Sequence, residues 1–218
     1  MSNIKLTGAT IRVEGQTLYR IEAIRDITTH DVKAGDKGGY VAKLEQVQDN
    51  AWVGGNAKVF GDAQVSGDAM VSDNAWIFDN AEVLGDAWVS DSAMVFGDAW
   101  VAGNAKVYGG AWVGGNAKVS ATAWVSGNAW VTGNAWVTDN AKVDGKDAIA
   151  FITYPNGYDI TVTRKHITIG CTTIKRSEFK RITCEEVVKL GLPIEYYDSY
   201  RLIIRSMMKL VKRNKGVA

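Results

Sequence analysis

Two histidines, His30 and His166, have the ordinary side-chain pKa nearest neutrality, so they are the first candidates for a general base. Asp31 follows His30, but neighbouring residues of a strand point to opposite sides, so this pair does not predict a catalytic dyad. His166 alternates with apolar residues in the segment TRKHITIG, a pattern typical of an exposed strand histidine. No motif of a serine or cysteine nucleophile accompanies them. These residues alone therefore predict no catalytic site.

The cysteines and a group of glycines are the other candidates for chemistry. Cys171 and Cys184 have no second pair and no histidine cluster nearby, so the spacing of a metal site is absent. We expect two reduced structural thiols. Gly35, Gly38 and Gly39 suggest a phosphate loop, but no Gly-Lys-Ser/Thr ending follows them. The sequence therefore predicts no metal and no cofactor, and the entrance to a repeat explains the glycines better.

A six-residue repeat runs without interruption from residue 49 to residue 144. Alanine occupies every sixth position from Ala51 to Ala141, and valine or, once, isoleucine follows two positions later, which makes sixteen units. Residues two apart share one face of a strand, so both are predicted to point inward. The residue before the alanine is Asn or Asp in thirteen units, and such residues, like the glycines beside them, favour tight corners. Each unit is thus predicted to be a corner followed by a short strand.

This pattern resembles the hexapeptide-repeat superfamily. The resemblance implies a left-handed parallel β-helix, a triangular prism in which three of the six-residue units make one coil. The segment HDVKAGDKGGYV resembles the one that leads into the helix in bacterial and prophage hexapeptide proteins labelled as acyltransferases. The register reaches back to Val41, so winding is expected to begin near Gly38. We expect a mainly β chain in three parts: N-terminal strands and cap in 1–48, the β-helix in 49–144, and a small α+β module in 145–218.

The outward positions of this prism are rich in aromatic residues. All eight tryptophans stand between an alanine and a valine or, for Trp76, an isoleucine, where the side chain must point outward. On two faces they stack with charged residues, whereas the third face is the most apolar and gains phenylalanines beside its tryptophans. Soluble monomers seldom leave so large an apolar patch in water, and members of the superfamily associate through β-helix sides, so we expect a homotrimer or another homo-oligomer. A protein partner or a sugar is the alternative occupant. The predicted interface residues are Phe60, Trp76, Phe78, Met94, Phe96, Trp112 and Trp130.

The segments on either side of the repeat are expected to cap it in part, because open β-helix ends expose strand edges. Residues 10–30 alternate apolar and polar around a turn at residues 14–15, which predicts a hairpin. Beyond the repeat, the pattern predicts strands with a turn at residues 155–157. A short helix between Thr183 and Gly191 follows.

The last predicted helix spans residues 194–214 and is amphipathic. Its apolar side is expected to dock on the C-terminal sheet. Its basic side is either a solvated face or a contact for nucleic acid, an acidic partner or a membrane surface. The residues of this basic stripe are Arg201, Arg205, Lys209 and Lys212.

Composition and charge narrow the class of protein. Apolar residues make up 46% of the 218 residues, yet no run approaches the roughly 20 needed to cross a bilayer, and the N-terminus lacks the apolar region of a signal peptide. We expect a soluble, cytoplasmic protein. Residues 49–144 carry 4 basic and 11 acidic side chains (−7), whereas 145–218 carry 14 and 7 (+7), so a net charge of +1 combines an acidic body with a basic tail.

The resemblance raises the hypothesis of a coenzyme A-dependent acyltransferase, whose chemistry needs a histidine base near the coils. However, the repeat from residue 49 to residue 144 contains no histidine and no loop insertion. We therefore expect a non-catalytic, homo-oligomeric β-solenoid that binds a macromolecular partner, with nucleic-acid binding through the C-terminal module as a further alternative. Because similar repeats occur in phages and prophages, one hypothesis is that the partner is a host protein that the chain inhibits.

Overall fold

The structure, a computed structural model, describes residues 3–145, 149–152, 160–163, 165–169, 172–179, 183, 185 and 197–211. The protein is mainly β, and the repeat forms sixteen two-residue strands, one for each six-residue unit. These strands are β4 Trp52–Val53, β5 Lys58–Val59, β6 Gln64–Val65, β7 Met70–Val71, β8 Trp76–Ile77, β9 Glu82–Val83, β10 Trp88–Val89, β11 Met94–Val95, β12 Trp100–Val101, β13 Lys106–Val107, β14 Trp112–Val113, β15 Lys118–Val119, β16 Trp124–Val125, β17 Trp130–Val131, β18 Trp136–Val137 and β19 Lys142–Val143.

Every third strand joins the same parallel sheet, so the chain winds as a three-sided β-solenoid. Trp112 pairs with Trp130 and Val113 with Val131, so each rung lies three repeat units from the next rung of its sheet. The first face contains β5, β8, β11, β14 and β17, the second β4, β7, β10, β13, β16 and β19, and the third β6, β9, β12, β15 and β18. The predicted solenoid is confirmed, with about six coils. The left hand of the winding stays a prediction from the resemblance.

The solenoid core is made of the alanine and valine positions of the repeat. All sixteen valine or isoleucine side chains are fully buried, and every repeat alanine is at most 2% exposed. Burial of one such branched side chain contributes roughly 1.5 kcal/mol or more, so these stacked residues supply much of the stability of the solenoid. The inward prediction is therefore confirmed for the whole repeat.

The corners use Asp and Gly where the backbone must adopt positive φ. Asp79 has φ 58° and Gly97, one coil on, has φ 67°. The backbone N–H of Gly97 donates to Oδ2 of Asp79 at 3.1 Å, and the same bond joins Asp91 to Gly109 at 2.9 Å. An Asp tolerates this conformation and satisfies a backbone donor in the next coil, so the corner residues link one coil to another.

The N-terminal segment closes the first coil. β1 (Ile4–Val13) and β2 (Gln16–Ala23) form the predicted hairpin, and β3 (Lys37–Val41) then pairs in parallel with β5, so the winding begins where the sequence indicates. A Cβ atom on Gly38 would lie 2.4 Å from the carbonyl oxygen of Val53. β3 therefore crosses the end of the solenoid at a distance that requires glycine. Two short 3₁₀ turns, Thr28–His30 and Leu44–Gln46, complete this segment.

The C-terminal module is an antiparallel sheet with a helix on one side. Its strands and helices are β20 Ile149–Ile152, β21 Ile160–Thr163, β22 His166–Ile169, β23 Thr172–Lys175, α1 Arg176–Phe179 and α2 Tyr197–Leu210. Ile160 and Val162 share a buried cluster with Ile204 of α2, so the predicted amphipathic helix does dock on this sheet. The turn predicted at residues 155–157 and most of the short helix predicted before Gly191 lie outside the described residues.

The other side of this sheet carries threonines and meets the last coil. The side chains of Thr161 and Thr168 are 1% and 2% exposed, and the backbone N–H of Trp136 donates to Oγ1 of Thr161 at 3.1 Å. Backbone donors of a terminal coil have no further coil to pair with, so a hydroxyl in place of an aliphatic side chain satisfies one of them. No helix of the described part of the chain is both long and apolar enough to cross a bilayer.

Candidate functional site: the aromatic face

Seven residues, Phe60, Trp76, Phe78, Met94, Phe96, Trp112 and Trp130, lie on the outer side of the first face, and we call them the aromatic face. The tryptophans and the methionine are the first residues of strands β8, β11, β14 and β17, between an inward alanine and an inward valine or isoleucine. The phenylalanines stand one position after the inward residue, where the chain enters the corner. The stacking of the coils therefore places both groups in columns along the solenoid.

Within these columns the rings stack on one another. Phe78 lies between Phe60 and Phe96, with ring centroids 5.2 and 5.3 Å away and planes within 9° of parallel. Trp112 stacks on Trp130 at 5.1 Å with an angle of 5°, and Phe96 meets Trp112 edge-on at 6.2 Å. Each such pair contributes about 0.5–1.5 kcal/mol beyond its burial. In the stacked pairs the ring faces are turned towards neighbouring rings, whereas the ring of Trp76 has the ammonium nitrogen of Lys58 over it, 5.0 Å from its centre.

The end of the aromatic face nearest the N-terminus is covered by the N-terminal hairpin. Phe60 is only 2% exposed and packs in a cluster with Val13 and Leu18 of the N-terminal hairpin. The burial of Phe60 removes it from the surface that the sequence assigned to an interface. The other six residues form the open part of the aromatic face, on which Trp112 and Trp130 are 37% and 45% exposed.

The prediction that all eight tryptophans lie outside is wrong for one of them. Trp52 is only 5% exposed and belongs to the same buried cluster as Ile4, Ile27 and Val32 of the N-terminal segment. The outward position is as predicted for the repeat, but the N-terminal segment packs over the first coil and turns an outer position into an inner one.

Like the Lys58–Trp76 pair of the first face, the second and third faces combine tryptophan with lysine. The ammonium nitrogen of Lys106 lies 5.3 Å from the ring centre of Trp88 and 5.5 Å from that of Trp124, and Lys142 lies 4.1 Å from Trp124. These indole faces already contact cations, which stabilises the columns by roughly 0.5–1 kcal/mol per contact at an exposed site. Trp88 is 43% exposed, so its exposure is similar to that of Trp112, although it lies on a different face.

The basic stripe of the C-terminal helix is described in part. Arg205 is exposed on α2 and Arg201 is partly exposed. Lys209 lies within α2, but its side chain is outside the part of the chain that the structure describes, and so is the whole of Lys212. Between the two arginines Leu202 is 71% exposed, a residue that the sequence analysis did not single out. Its own position, nearly opposite Ile204 at 3.6 residues per turn, was the available signal.

The two histidines occupy separate places at opposite ends of the solenoid. Burial lowers the pKa of His30 below its ordinary value, although Asp68 opposes the shift. Burial also lowers the pKa of His166, helped by Lys165 and opposed by Asp139. Both therefore favour the neutral form. Among the described residues no group of three or more His, Cys, Asp and Glu side chains is arranged to hold a metal ion.

Comparison with known proteins supports the repeat architecture. A family model described as the YdcK beta solenoid repeat matches residues 63–79. The match covers about one coil and agrees with the observed β-solenoid repeat. No curated protein matches the chain.

Proposed function

We propose that the protein is a non-catalytic β-solenoid that assembles with copies of itself through the open part of the aromatic face and binds a macromolecular partner. The observation that carries this proposal is the exposure of the Trp112–Trp130 stack beside Phe78 and Phe96. Removal of continuous aromatic surface of this kind from water lowers the free energy, and aromatic residues are enriched at protein interfaces.

The stacking geometry favours a protein over a sugar as the occupant. A sugar ring binds to an aromatic side chain by lying flat on its face. The faces of Phe78 and Trp112 are turned towards the next ring in the column, at 5.2 and 5.1 Å, so mainly their edges are available. Edges in a regular column suit the packing of apolar side chains from another protein.

Sedimentation velocity tests the self-association directly. The variant Trp112→Lys with Phe78→Lys is expected to sediment at the protomer mass of 23.7 kDa, whereas the unchanged chain sediments as an assembly. Trp88→Lys is the matched control, because it removes a tryptophan of similar exposure from another face and should leave the assembly intact. Circular dichroism melts verify that all three proteins are folded. An unchanged protein that is monomeric, or a double variant that still assembles, would contradict the proposal.

Partner binding needs a separate experiment. The unchanged chain and the Trp112→Lys, Phe78→Lys variant are used as bait in a pull-down from the source cell. Two controls identify the competing functions: acetyl coenzyme A raises the melting temperature of an acyltransferase, and nucleic acid binds with a steep salt dependence to a nucleic-acid-binding protein. We expect a protein partner and neither of these effects. Stabilisation by acetyl coenzyme A would refute the non-catalytic assignment.

A further inference from the structure

The first two rungs of the open aromatic face, β8 and β11, are bordered by acidic residues on both sides. Residues 72–80 and 90–98, which contain these rungs, include no lysine or arginine, whereas the corners beside β14 and β17 are uncharged. One carboxylate lies at the corner before each rung and another at the corner after it, and all four are exposed. We call them the acidic rows: Asp73 and Asp91 on one side, Asp79 and Asp98 on the other.

This charge pattern disfavours direct contact between two aromatic faces. If two copies met face to face with their solenoids running in the same direction, the acidic rows of one would lie near those of the other, and like charges across an interface oppose association. The surface that complements the aromatic face is instead an apolar ridge with basic residues along it. Such a ridge would bury its apolar atoms on Phe78 and Phe96 and direct its cations to the acidic rows.

The outer side of α2 has this chemistry. Its inner side, including Ile204 and Met207, is buried on the C-terminal sheet, so the helix is held in place without any partner. Its outer side presents Leu202, which at 71% is the most exposed large apolar side chain among the described residues. Arg205 is exposed and follows one turn later on the same helix. Residues 197–210 carry three basic side chains and one acidic one, the exposed Asp198, so the helix has a net charge of +2 against the four carboxylates of the acidic rows.

The dimensions of the two surfaces also agree. The 14 residues of α2 make a helix about 21 Å long and about 10–12 Å across. The four open rungs, β8, β11, β14 and β17, span about 14 Å at roughly 4.8 Å per coil. Asp73 and Asp79 are six residues apart, so the acidic rows are separated by at most about 20 Å. One helix laid along the solenoid axis is therefore long enough to cover the open rungs, and its width lies within this upper limit.

We propose that the outer side of α2 from one copy docks between the acidic rows of the next copy, with Leu202 on the aromatic rings and Arg205 at a carboxylate. This inference rests on the proposed self-association and specifies its geometry. The two contacting surfaces differ, so the interface is heterologous, and repeated contacts either close into a ring or continue as a filament. The basic stripe and the aromatic face then form the two sides of one interface.

Two complementary variants test this geometry. The face variant is Trp112→Lys with Phe78→Lys, and the helix variant is Leu202→Asp with Arg205→Glu, which changes exposed helix positions outside the core. Sedimentation velocity is measured on each alone and on an equimolar mixture. We expect each variant to be monomeric alone, because one side of every contact is lost. We expect the mixture to form a one-to-one dimer, because the intact face of one variant meets the intact helix of the other.

The outcomes separate the docking from the proposed function. A helix variant that assembles like the unchanged chain would overturn the docking and indicate contact between aromatic faces. Two monomeric variants that form no complex when mixed would also overturn it. An unchanged chain that is monomeric would refute the self-association itself. A mixture that forms the dimer and loses it in high salt, which screens the charge pairs, supports the docking.

Discussion

Substitution of Gly38 by alanine tests how closely the N-terminal segment crosses the first coil. The added Cβ would lie 2.4 Å from the carbonyl oxygen of Val53 and 2.6 Å from Cγ1 of Ile21. A side chain such as that of Ile21 can adjust, but the oxygen belongs to the backbone of the coil. β3 must therefore move away from the coil, and overpacking of this kind costs about 1–3 kcal/mol. For a chain of this size the melting temperature should fall by about 2–4 °C per kcal/mol.

Gly8→Ala is the matched control for this substitution. Gly8 lies in the strand β1, and a Cβ there would meet no atom within 4 Å. We expect a change within about 0.5 kcal/mol, since nothing must move. Both variants are compared with the unchanged chain by thermal melts and urea unfolding. If Gly38→Ala melts like Gly8→Ala, the chain does not pass so close to the coil, and the glycines need another explanation.

Two further predictions concern the ends of the solenoid. Thr161→Val leaves the backbone N–H of Trp136 without its hydroxyl acceptor at a buried position, so the free energy of unfolding in urea should fall by about 1–3 kcal/mol. Thr161→Ser keeps the hydroxyl, so its free energy of unfolding should fall less. Equal decreases for the two variants would contradict the role of the hydroxyl. Burial lowers the pKa of His30 and of His166 below 6.5, so the unfolded chain takes up protons first, and stability should fall as the pH drops from about 7.5 towards 5.5. His30→Gln with His166→Gln should flatten this dependence, and an unchanged slope would show that other groups cause it.

The sequence predicts the repeat region in detail because its structure is local. Each unit carries its own corner and inward pair, so the stacking of Trp112 on Trp130 follows from counting three units along the chain. The same counting predicted that Trp52 is exposed and that Phe60 belongs to an interface, but both side chains are buried within the chain. Both occupy outward positions of the repeat, but both are covered by the N-terminal segment. That packing joins residues far apart in the sequence, and the period of the repeat carries no information about it.

The C-terminal module shows a second limit of prediction from the sequence. Alternation of Ile160, Thr161 and Val162 predicts a strand with two different sides, and the structure has such a strand. It does not indicate that the threonine side meets the end of the solenoid, because an outward polar residue and one that caps a coil follow the same pattern. The helical stripe, by contrast, predicts which side of α2 docks on the sheet, since Ile204 and Met207 of that stripe are buried there. Leu202 lies nearly opposite Ile204, so its exposure follows from the helical spacing, but what covers it does not.

Radical footprinting of the unchanged chain, read by mass spectrometry, tests the central claim most directly. In the isolated protomer Trp88, Trp112 and Trp130 are exposed to similar extents, at 43%, 37% and 45%. If the aromatic face holds copies together, Trp112 and Trp130 will be protected from oxidation at concentrations where the protein is assembled, and both will react on dilution, whereas Trp88 will react throughout. Equal oxidation of all three tryptophans in the assembled protein would contradict the account.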